Sequence, residues 1–306
     1  ALIVRSRPFK CKVFGGMILQ REKEIQRMSN QTIQIEPVSG ALGAEISGVD
    51  LGEDLSDQTI AEIRAALLEH LVIFFRDQAH ITPNQQAKFA ERFGPLVDYP
   101  LVKGLEEAPP VIPVIKLPEE KINFGGLWHA DTTYLEEPPL GTFLLARELP
   151  PSGGDTEFAN MYLAYEALSP AYQKFLDGLT VVNTSAKARV SDTRKHRVAE
   201  QEEPAPKELI AEHPAVRTHP ETGRKALFVN LAHSVRFKEL SIEESQPILE
   251  FLFAHLNKPE FTYRFRWSEG AAAFWDNRAS QHNPVNDYHG YKRVMHRITI
   301  AGDRPV

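Results

Sequence analysis

The stretch "GGLWHADTTY", residues 125–134, sets the reading of this chain. A histidine and an aspartate stand two apart, behind a tryptophan and ahead of two threonines and a tyrosine. In an extended segment side chains repeat with period two, so His129 and Asp131 share one side and Ala130 faces away. One imidazole and one carboxylate aimed at a single point make two thirds of a metal site. The remaining ligand has to come from elsewhere in the chain.

Eleven histidines are available. His70 and His255 close helical segments, where a partial positive charge is favourable, and His196 and His213 lie in a charged stretch. His282 differs. It follows "AAAFWDNRASQ", an apolar strand running into a turn, and a polar residue where a core strand opens onto a loop is well placed for a site. His129, Asp131 and His282 then compose a 2-His-1-carboxylate triad, which holds one face of an octahedral Fe(II) and leaves three positions for substrate oxygens and O₂. The tripeptide alone is a weak signal and also fits a surface histidine beside a turn aspartate. The same ligand types build catalytic zinc sites.

Two further features support the triad. In "RVMHRITI" (293–300) Arg293, Met295, Arg297 and Thr299 share one strand face, and Val294, His296, Ile298 and Ile300 share the other. Two arginines on one face in an apolar context are costly unless anions meet them. Strand geometry at ~3.3 Å per residue places them roughly 13 Å apart, room for two anions rather than one. A protein carboxylate such as Glu157 or Asp287 is the alternative partner for Arg297. In "PPSGGDTEFAN" (150–160) a Gly153-Gly154 turn leads into a strand where Thr156 presents a hydroxyl; the glycines alone read as a hairpin loop.

The bulk properties fit an ordinary globular protein. Of 306 residues, 42% are apolar and 25% charged, and no apolar run approaches the roughly 20 residues that cross a bilayer. A net charge of −6 argues against nucleic acid as a partner, leaving "RKHR" (194–197) as a solvated face. The single cysteine, Cys11, excludes an internal disulfide and a cysteine-based zinc site and fits the cytoplasm. Residues 1–27 hold no period and lack the features of a secretory signal, so they read as a disordered upstream extension or translated leader. Residues 28–306 read as one domain.

Helices and short strands alternate along that domain. Ser56 or Asp57 caps a helix with Ile60, Ile63 and Leu67 at helical spacing, and "LVIFF" (71–75) follows as a buried strand. Thr82, Pro83 and Gln85 open a second helix that Gly94-Pro95 ends; a third region near 160–178 breaks at Ser169-Pro170; Ser241 and Glu244 box a further helix. Residues 98–126 read as loop with one strand, and the charged 183–214 as an excursion or lid. The C-terminal quarter is β-rich. The pattern implies an α+β fold with a β core decorated by helices, and no glycine-rich nucleotide-binding motif is present.

The ordered motifs "GAEISGVDL", "LVIFFRDQ", "RFGPL", "WHADTTY", "PPSGGDTEFAN", "HPAVRTHPETGRKALFVN", "FWDNRASQH" and "KRVMHRITIAGDRP" resemble the taurine/chlorophenoxyacetate family of Fe(II)- and 2-oxoglutarate-dependent dioxygenases. The likeness runs from about Ile33 to Pro305. It implies a double-stranded β-helix (jelly roll) with helices outside, and the cofactors Fe(II), 2-oxoglutarate and O₂. It implies that His129, Asp131 and His282 hold the iron, that Arg293 clamps the far carboxylate of 2-oxoglutarate with help from Thr156, and that Arg297 meets the anionic end of the substrate.

At other substrate-facing positions the chain departs from the taurine oxidisers. Tyr99 and Val102 stand where those carry His and Tyr, Gly125 stands for an Asn, and His233 stands for an aromatic, reading equally as a substrate contact or a loop histidine. These changes point to an anion with an apolar body, such as an alkyl sulfate, alkyl sulfonate or aryloxyalkanoate, hydroxylated with release of succinate and CO₂. The alternatives are a zinc hydrolase on the same triad and a non-catalytic small-molecule sensor. The expected partner is a small anionic substrate, without nucleic acid or membrane, in a cytoplasmic homo-oligomer (dimer or tetramer).

Overall fold

The computed structural model describes residues 32–97, 103–123, 125–187 and 208–306. The first half of the chain forms β1 (Gln34–Pro37), β2 (Ala44–Ser47), α1 (Asp57–His70), β3 (Val72–Phe75), α2 (Pro83–Glu91), β4 (Leu96–Val97), β5 (Ile112–Lys116), β6 (Gly141–Glu148) and β7 (Thr156–Asn160). There follow α3 (Met161–Glu166), α4 (Pro170–Leu176), β8 (Thr180–Thr184), β9 (Ile210–Pro214), β10 (Val216–Thr218), β11 (Lys225–Leu227) and β12 (Ser234–Phe237). The chain closes with α5 (Ile242–Leu256), β13 (Thr262–Phe265), β14 (Ala272–Asp276), β15 (Ser280–Pro284) and β16 (Arg293–Ile300). No helix among the described residues is long and apolar enough to cross a membrane.

An eight-stranded sheet runs β1-β2-β3-β14-β6-β16-β4, with β5 also paired to β16. Within it only β2 and β3 are parallel. A smaller antiparallel sheet, β13-β7-β15, faces it, and β12-β8-β9 and β10-β11 complete the β content. Alternation along the strands divides the core in two. Ile73, Phe75, Phe143, Phe274, Ile298 and Ile300 pack with Ile63, Leu67 and Phe89 of α1 and α2. Phe74, Trp275 and Met295 turn the other way, onto Phe158 and Phe265 of the small sheet. Phe74 and Phe265 stack at 3.9 Å between centroids. Each such aromatic side chain withdrawn from water contributes roughly 1.5–3 kcal/mol. On β16, Arg293 and Arg297 share the face of Met295 and therefore look into the space between the sheets.

The local signals act as the sequence implies, with four corrections. Ser56, not Asp57, caps α1, and both capping boxes, Thr82/Gln85 and Ser241/Glu244, form. Leu71 does not start β3: with φ +65 it closes α1 and sends its N–H to Leu67 O at 2.8 Å. Helix α2 stops at Glu91 rather than at Gly94, because Arg92 and Phe93 turn back onto Phe89 O and Ala90 O. The charged excursion is shorter than 183–214, since β8 and β9 pair antiparallel from Thr180↔Pro214 to Thr184↔Ile210. The segment 125–134 is not a strand: only His129 bridges, and a turn follows. Residues 1–27, Tyr99 and Val102 lie outside the described residues, as does 188–207.

A buried ionic group anchors the turn after β14. Asp276 accepts hydrogen bonds from Arg278 N, Nε and Nη2 and from His219 Nε2 at 2.6–3.1 Å, and Arg278 Nη1 reaches Glu221 at 2.8 Å. Burial opposes ionisation of Asp276, yet the hydrogen bonds from Arg278 and His219 outweigh it and hold the carboxyl well below the usual range. A depressed folded value means that the stabilisation is complete above the ordinary aspartate value and is lost as pH falls below it. Removing the charge strands Arg278. Asp276→Asn is expected to lower the unfolding free energy by about 3–5 kcal/mol at neutral pH and to flatten the loss of stability below about pH 4, measured by urea denaturation across pH.

Candidate metal and anion site

The triad is assembled by a bridge and a turn. His129 and His282 exchange backbone hydrogen bonds, His129 N to His282 O at 3.0 Å and His282 N to His129 O at 2.8 Å. This bridge brings the loop before the turn to the end of the small sheet. The chain then reverses through Thr132, whose φ of +42° is rare for a β-branched residue, and Asp131 swings back to the two imidazoles. One ligand atom from each of His129, Asp131 and His282 lies within 4.8 Å of the others, and all three residues are buried. The expected convergence is present, but a turn produces it rather than strand periodicity.

Neighbouring groups fix each ligand. His129 Nδ1 donates to Leu127 O at 2.6 Å, leaving Nε2 as the lone pair 3.6 Å from Asp131 Oδ1. His282 is held by packing, 4.7 Å from the Trp275 ring and 6.2 Å from Phe158, with Nε2 4.0 Å from Asp131 Oδ1. Asp131 Oδ2 accepts from Thr142 Oγ1 at 2.7 Å, and Thr142 in turn accepts from Asn277 Nδ2 at 3.1 Å. Asn277 Oδ1 takes both the Asp131 N–H and the Trp275 indole N–H. Only Oδ1 is left facing the histidines. Burial would raise the Asp131 pKa, but Arg297, His282 and His129 outweigh it and keep the carboxyl well below the usual range. Burial holds His282 far below an ordinary imidazole. A charged oxygen and two imidazole nitrogens are the donor set that a divalent first-row metal requires.

A cleft runs from the triad between the sheets and is lined by Thr156, Arg293 and Arg297 together with Val114, Leu144, Trp275 and Pro284. Arg293 is 6% exposed. Its Nε and Nη2, which form one edge of the guanidinium fork, have no partner among the described residues. That edge is shaped for the two oxygens of one carboxylate. Thr156 Oγ1 accepts the Trp267 indole N–H at 3.0 Å, which leaves its own hydroxyl hydrogen to donate. The residues present thus fit a 2-oxo dicarboxylic acid between the metal and Arg293. Gly153 and Gly154 are more than a hairpin loop. Both have positive φ, and a Cβ would lie 2.6 Å from Asp287 Oδ1 at Gly153 and 3.4 Å from Arg293 Nε at Gly154.

The second anion position is more complex than the sequence suggests. Arg297 Nη2 stands 2.9 Å from Asp131 Oδ1, a charge contact without the alignment of a hydrogen bond. Neither Glu157 nor Asp287 is its partner: Glu157 accepts from Asn283, and Asp287 from Gly154 N and Arg264. Gly125 brings no polar group. Its φ is +71°, and a Cβ there would lie 2.8 Å from His129 Cε1 and 3.1 Å from Nε2, so it permits close approach to the ligand ring. His233 is buried beside the triad, its ring 6.0 Å from that of His129. Sequence reading missed Thr142, Asn277 and Trp267, which orient the ligands and Thr156; a buried Asn between Asp276 and Arg278 was the available signal. Thr142→Val, which keeps the shape and removes the donor to Asp131, is expected to weaken divalent metal binding about 10- to 100-fold with little change in stability, measured by metal titration and thermal unfolding.

Comparison with known proteins agrees with this geometry. The model of the taurine catabolism dioxygenase TauD, TfdA family matches residues 34–299. An alkylsulfatase of Acinetobacter baylyi is 37% identical over 281 residues, covering 89% of this chain and 86% of that protein. An alpha-ketoglutarate-dependent sulfate ester dioxygenase of Pseudomonas putida is 36% identical, covering 90% and 91%. A taurine dioxygenase structure from Burkholderia xenovorans superposes with a TM-score of 0.76 at 36% identity, covering 90% of this chain and 93% of that one. The chain belongs to the TauD/TfdA family and is an alpha-ketoglutarate-dependent dioxygenase, an oxidoreductase that uses Fe(II), 2-oxoglutarate and O₂.

Proposed function

We propose that this dioxygenase hydroxylates a small organic anion with an apolar body, an alkyl sulfate ester ahead of an alkyl sulfonate or aryloxyalkanoate. His129, Asp131 and His282 hold Fe(II), Arg293 and Thr156 hold the far carboxylate of 2-oxoglutarate, and Arg297 meets the substrate anion. The observation that carries this reading is the buried Nε/Nη2 edge of Arg293, which has no hydrogen-bond partner among the described residues and lines the same cleft as His129 and His282. A buried guanidinium edge without an acceptor costs several kcal/mol, so its partner is a ligand. The apolar walls at Val114 and Leu144 suit a hydrocarbon body, and the names of the alkylsulfatase and sulfate ester dioxygenase relatives point the same way.

Bound iron would supply the coupling of O₂ reduction to decarboxylation of 2-oxoglutarate, with succinate, CO₂ and a hydroxylated substrate as products. Hydroxylation at the carbon bearing a sulfate ester gives a product that expels sulfate and leaves an aldehyde. The protein's own contribution is to orient: Asn277 and Thr142 turn Asp131, Leu127 O fixes the His129 tautomer, and Trp267 aims Thr156. The two facing sheets are read as a double-stranded β-helix, and the protein as a cytoplasmic homo-oligomer.

With Fe(II), 2-oxoglutarate and air, hexyl sulfate is expected to yield succinate and aldehyde in equal amounts, with faster turnover than taurine. Under anaerobic conditions the same cofactors should give the visible charge-transfer band of a chelated 2-oxo acid, absent in His129→Ala and His282→Ala. Turnover with Zn²⁺ alone and none with Fe(II) would transfer the site to the hydrolase reading.

A further inference from the structure

Two aromatic rings stand beside the Arg293 guanidinium. Its Cζ lies 5.7 Å from the Trp267 ring centroid and 5.9 Å from that of Tyr288, within reach of cation–π attraction. Both rings are themselves tied. The Trp267 indole N–H donates to Thr156 Oγ1 at 3.0 Å. Tyr288 is 4% exposed, and its hydroxyl lies 2.9 Å from Asn123 Oδ1. Asn123 Nδ2 faces the carbonyls of Pro284 and Val285 at 3.3 and 3.1 Å. Those carbonyls only accept, so the amide is fixed in one orientation, Oδ1 accepts and Tyr288 donates. The phenol oxygen keeps its lone pairs for a donor such as Arg293. Burial pushes the phenol above its ordinary value, and the Arg293 charge beside it opposes that rise.

Lys116 brings a second cation to the same ring. It stands directly opposite Arg293 in the β5/β16 register, so the two side chains share one sheet face, where like charges repel. Lys116 is 5% exposed, its Nζ has no hydrogen-bond partner among the described residues, and it lies 4.1 Å from the Tyr288 ring centroid. A buried ammonium without an acceptor is costly, and the face of the phenol offsets part of that cost. The backbone packs against both residues as well. A Cβ at Gly154 would lie 3.2 Å from Tyr288 Cδ1 and 3.4 Å from Arg293 Cδ, and the Gly154 N–H donates to Asp287, the residue before Tyr288, at 2.7 Å. What this arrangement fixes is the place of the free Nε/Nη2 edge of Arg293.

We propose that Tyr288, held by Asn123 and Lys116, is a positioning residue that fixes how far from the metal ligands Arg293 meets the co-substrate, and so sets the length of 2-oxo diacid that the cleft accepts. The proposal rests on the assignment of Arg293 to the far carboxylate of 2-oxoglutarate. A free arginine side chain is flexible enough to follow a ligand one methylene longer. One packed against a pinned ring is not. The five-carbon diacid then reaches the guanidinium in register, and the six-carbon 2-oxoadipate overshoots it.

The test is calorimetry under anaerobic conditions on the full chain loaded with Fe(II), with 2-oxoglutarate and 2-oxoadipate as probes, beside thermal unfolding of the ligand-free protein. The unmodified protein should bind 2-oxoglutarate about tenfold or more tightly than 2-oxoadipate, the effect of one misplaced methylene. Tyr288→Leu, which removes the ring behind Arg293, should bring that preference below about threefold. Tyr288→Phe keeps the ring and loses the hydroxyl; it should weaken 2-oxoglutarate about two- to tenfold at an unchanged melting temperature. Lys116→Met should narrow the preference by a smaller factor than Tyr288→Leu. An unchanged preference in Tyr288→Leu overturns the proposal, and so does an equal loss of both ligands with a lowered melting temperature, which marks a structural role. Should Tyr288→Leu not fold, Tyr288→Phe decides, and an unchanged 2-oxoglutarate affinity there overturns the proposal. Unchanged 2-oxoglutarate affinity in Arg293→Ala overturns the clamp reading instead, so the two failures are distinct.

Discussion

A single carboxylate, Asp131, has to remain ionised at 2% exposure, and much of the site is arranged around that demand. Desolvating a carboxylate costs several kcal/mol unless hydrogen bonds and opposite charge replace the water. Thr142 takes one oxygen, and Arg297 and the two imidazoles surround the other. Asn277 ties Thr142 to the Asp131 backbone, and the Asp276–Arg278–His219 cluster anchors the turn on which Asn277 sits. The turn at Thr132 that brings Asp131 back to His129 stays folded in an unfavourable backbone region because these contacts surround it.

Strand β16 sets the spacing of the chemistry. Its inward face carries Arg293 at one end and Arg297 four residues on, with Met295 packed between them in the core. Strand geometry fixes their separation at roughly 13 Å, and hydrogen bonding to both β5 and β6 makes that spacing rigid. Under the proposed function, one anion is met by Arg293 and a second, beside the metal ligands, by Arg297. A guanidinium carries five donors, and through Nη2 it neutralises Asp131.

Much of this was legible in the sequence because it depends on local rules. Period two on 293–300 placed the arginines on one face, and the capping pairs Thr82/Gln85 and Ser241/Glu244 located helix starts. His282 stood out where an apolar strand opened. Harder to read was whatever depends on contacts between distant segments. The segment 125–134 gave the correct convergence for the wrong reason, since its geometry is set by a bridge to His282 and a turn at Thr132. Thr142 reads as an ordinary strand threonine until the fold sets it beside Asp131. The sequence offers Glu157 and Asp287 as partners of Arg297, whereas the carboxylate beside it in the fold is the metal ligand Asp131, 166 residues away in sequence. His233 was ambiguous because its neighbours Thr133 and Asn230 come from two separate loops.

The division of labour between the two arginines is the central claim, and one paired measurement addresses it. The affinity for 2-oxoglutarate, by calorimetry with saturating Fe(II) under anaerobic conditions, is set beside the KM for hexyl sulfate in Arg293→Ala and Arg297→Ala. Arg293→Ala is expected to weaken 2-oxoglutarate binding at least about tenfold, the loss of a charge-assisted pair, and to move the hexyl sulfate KM little. Arg297→Ala should do the reverse. Equal loss of 2-oxoglutarate binding in both variants would contradict it, because the two guanidinia would then serve a single anion.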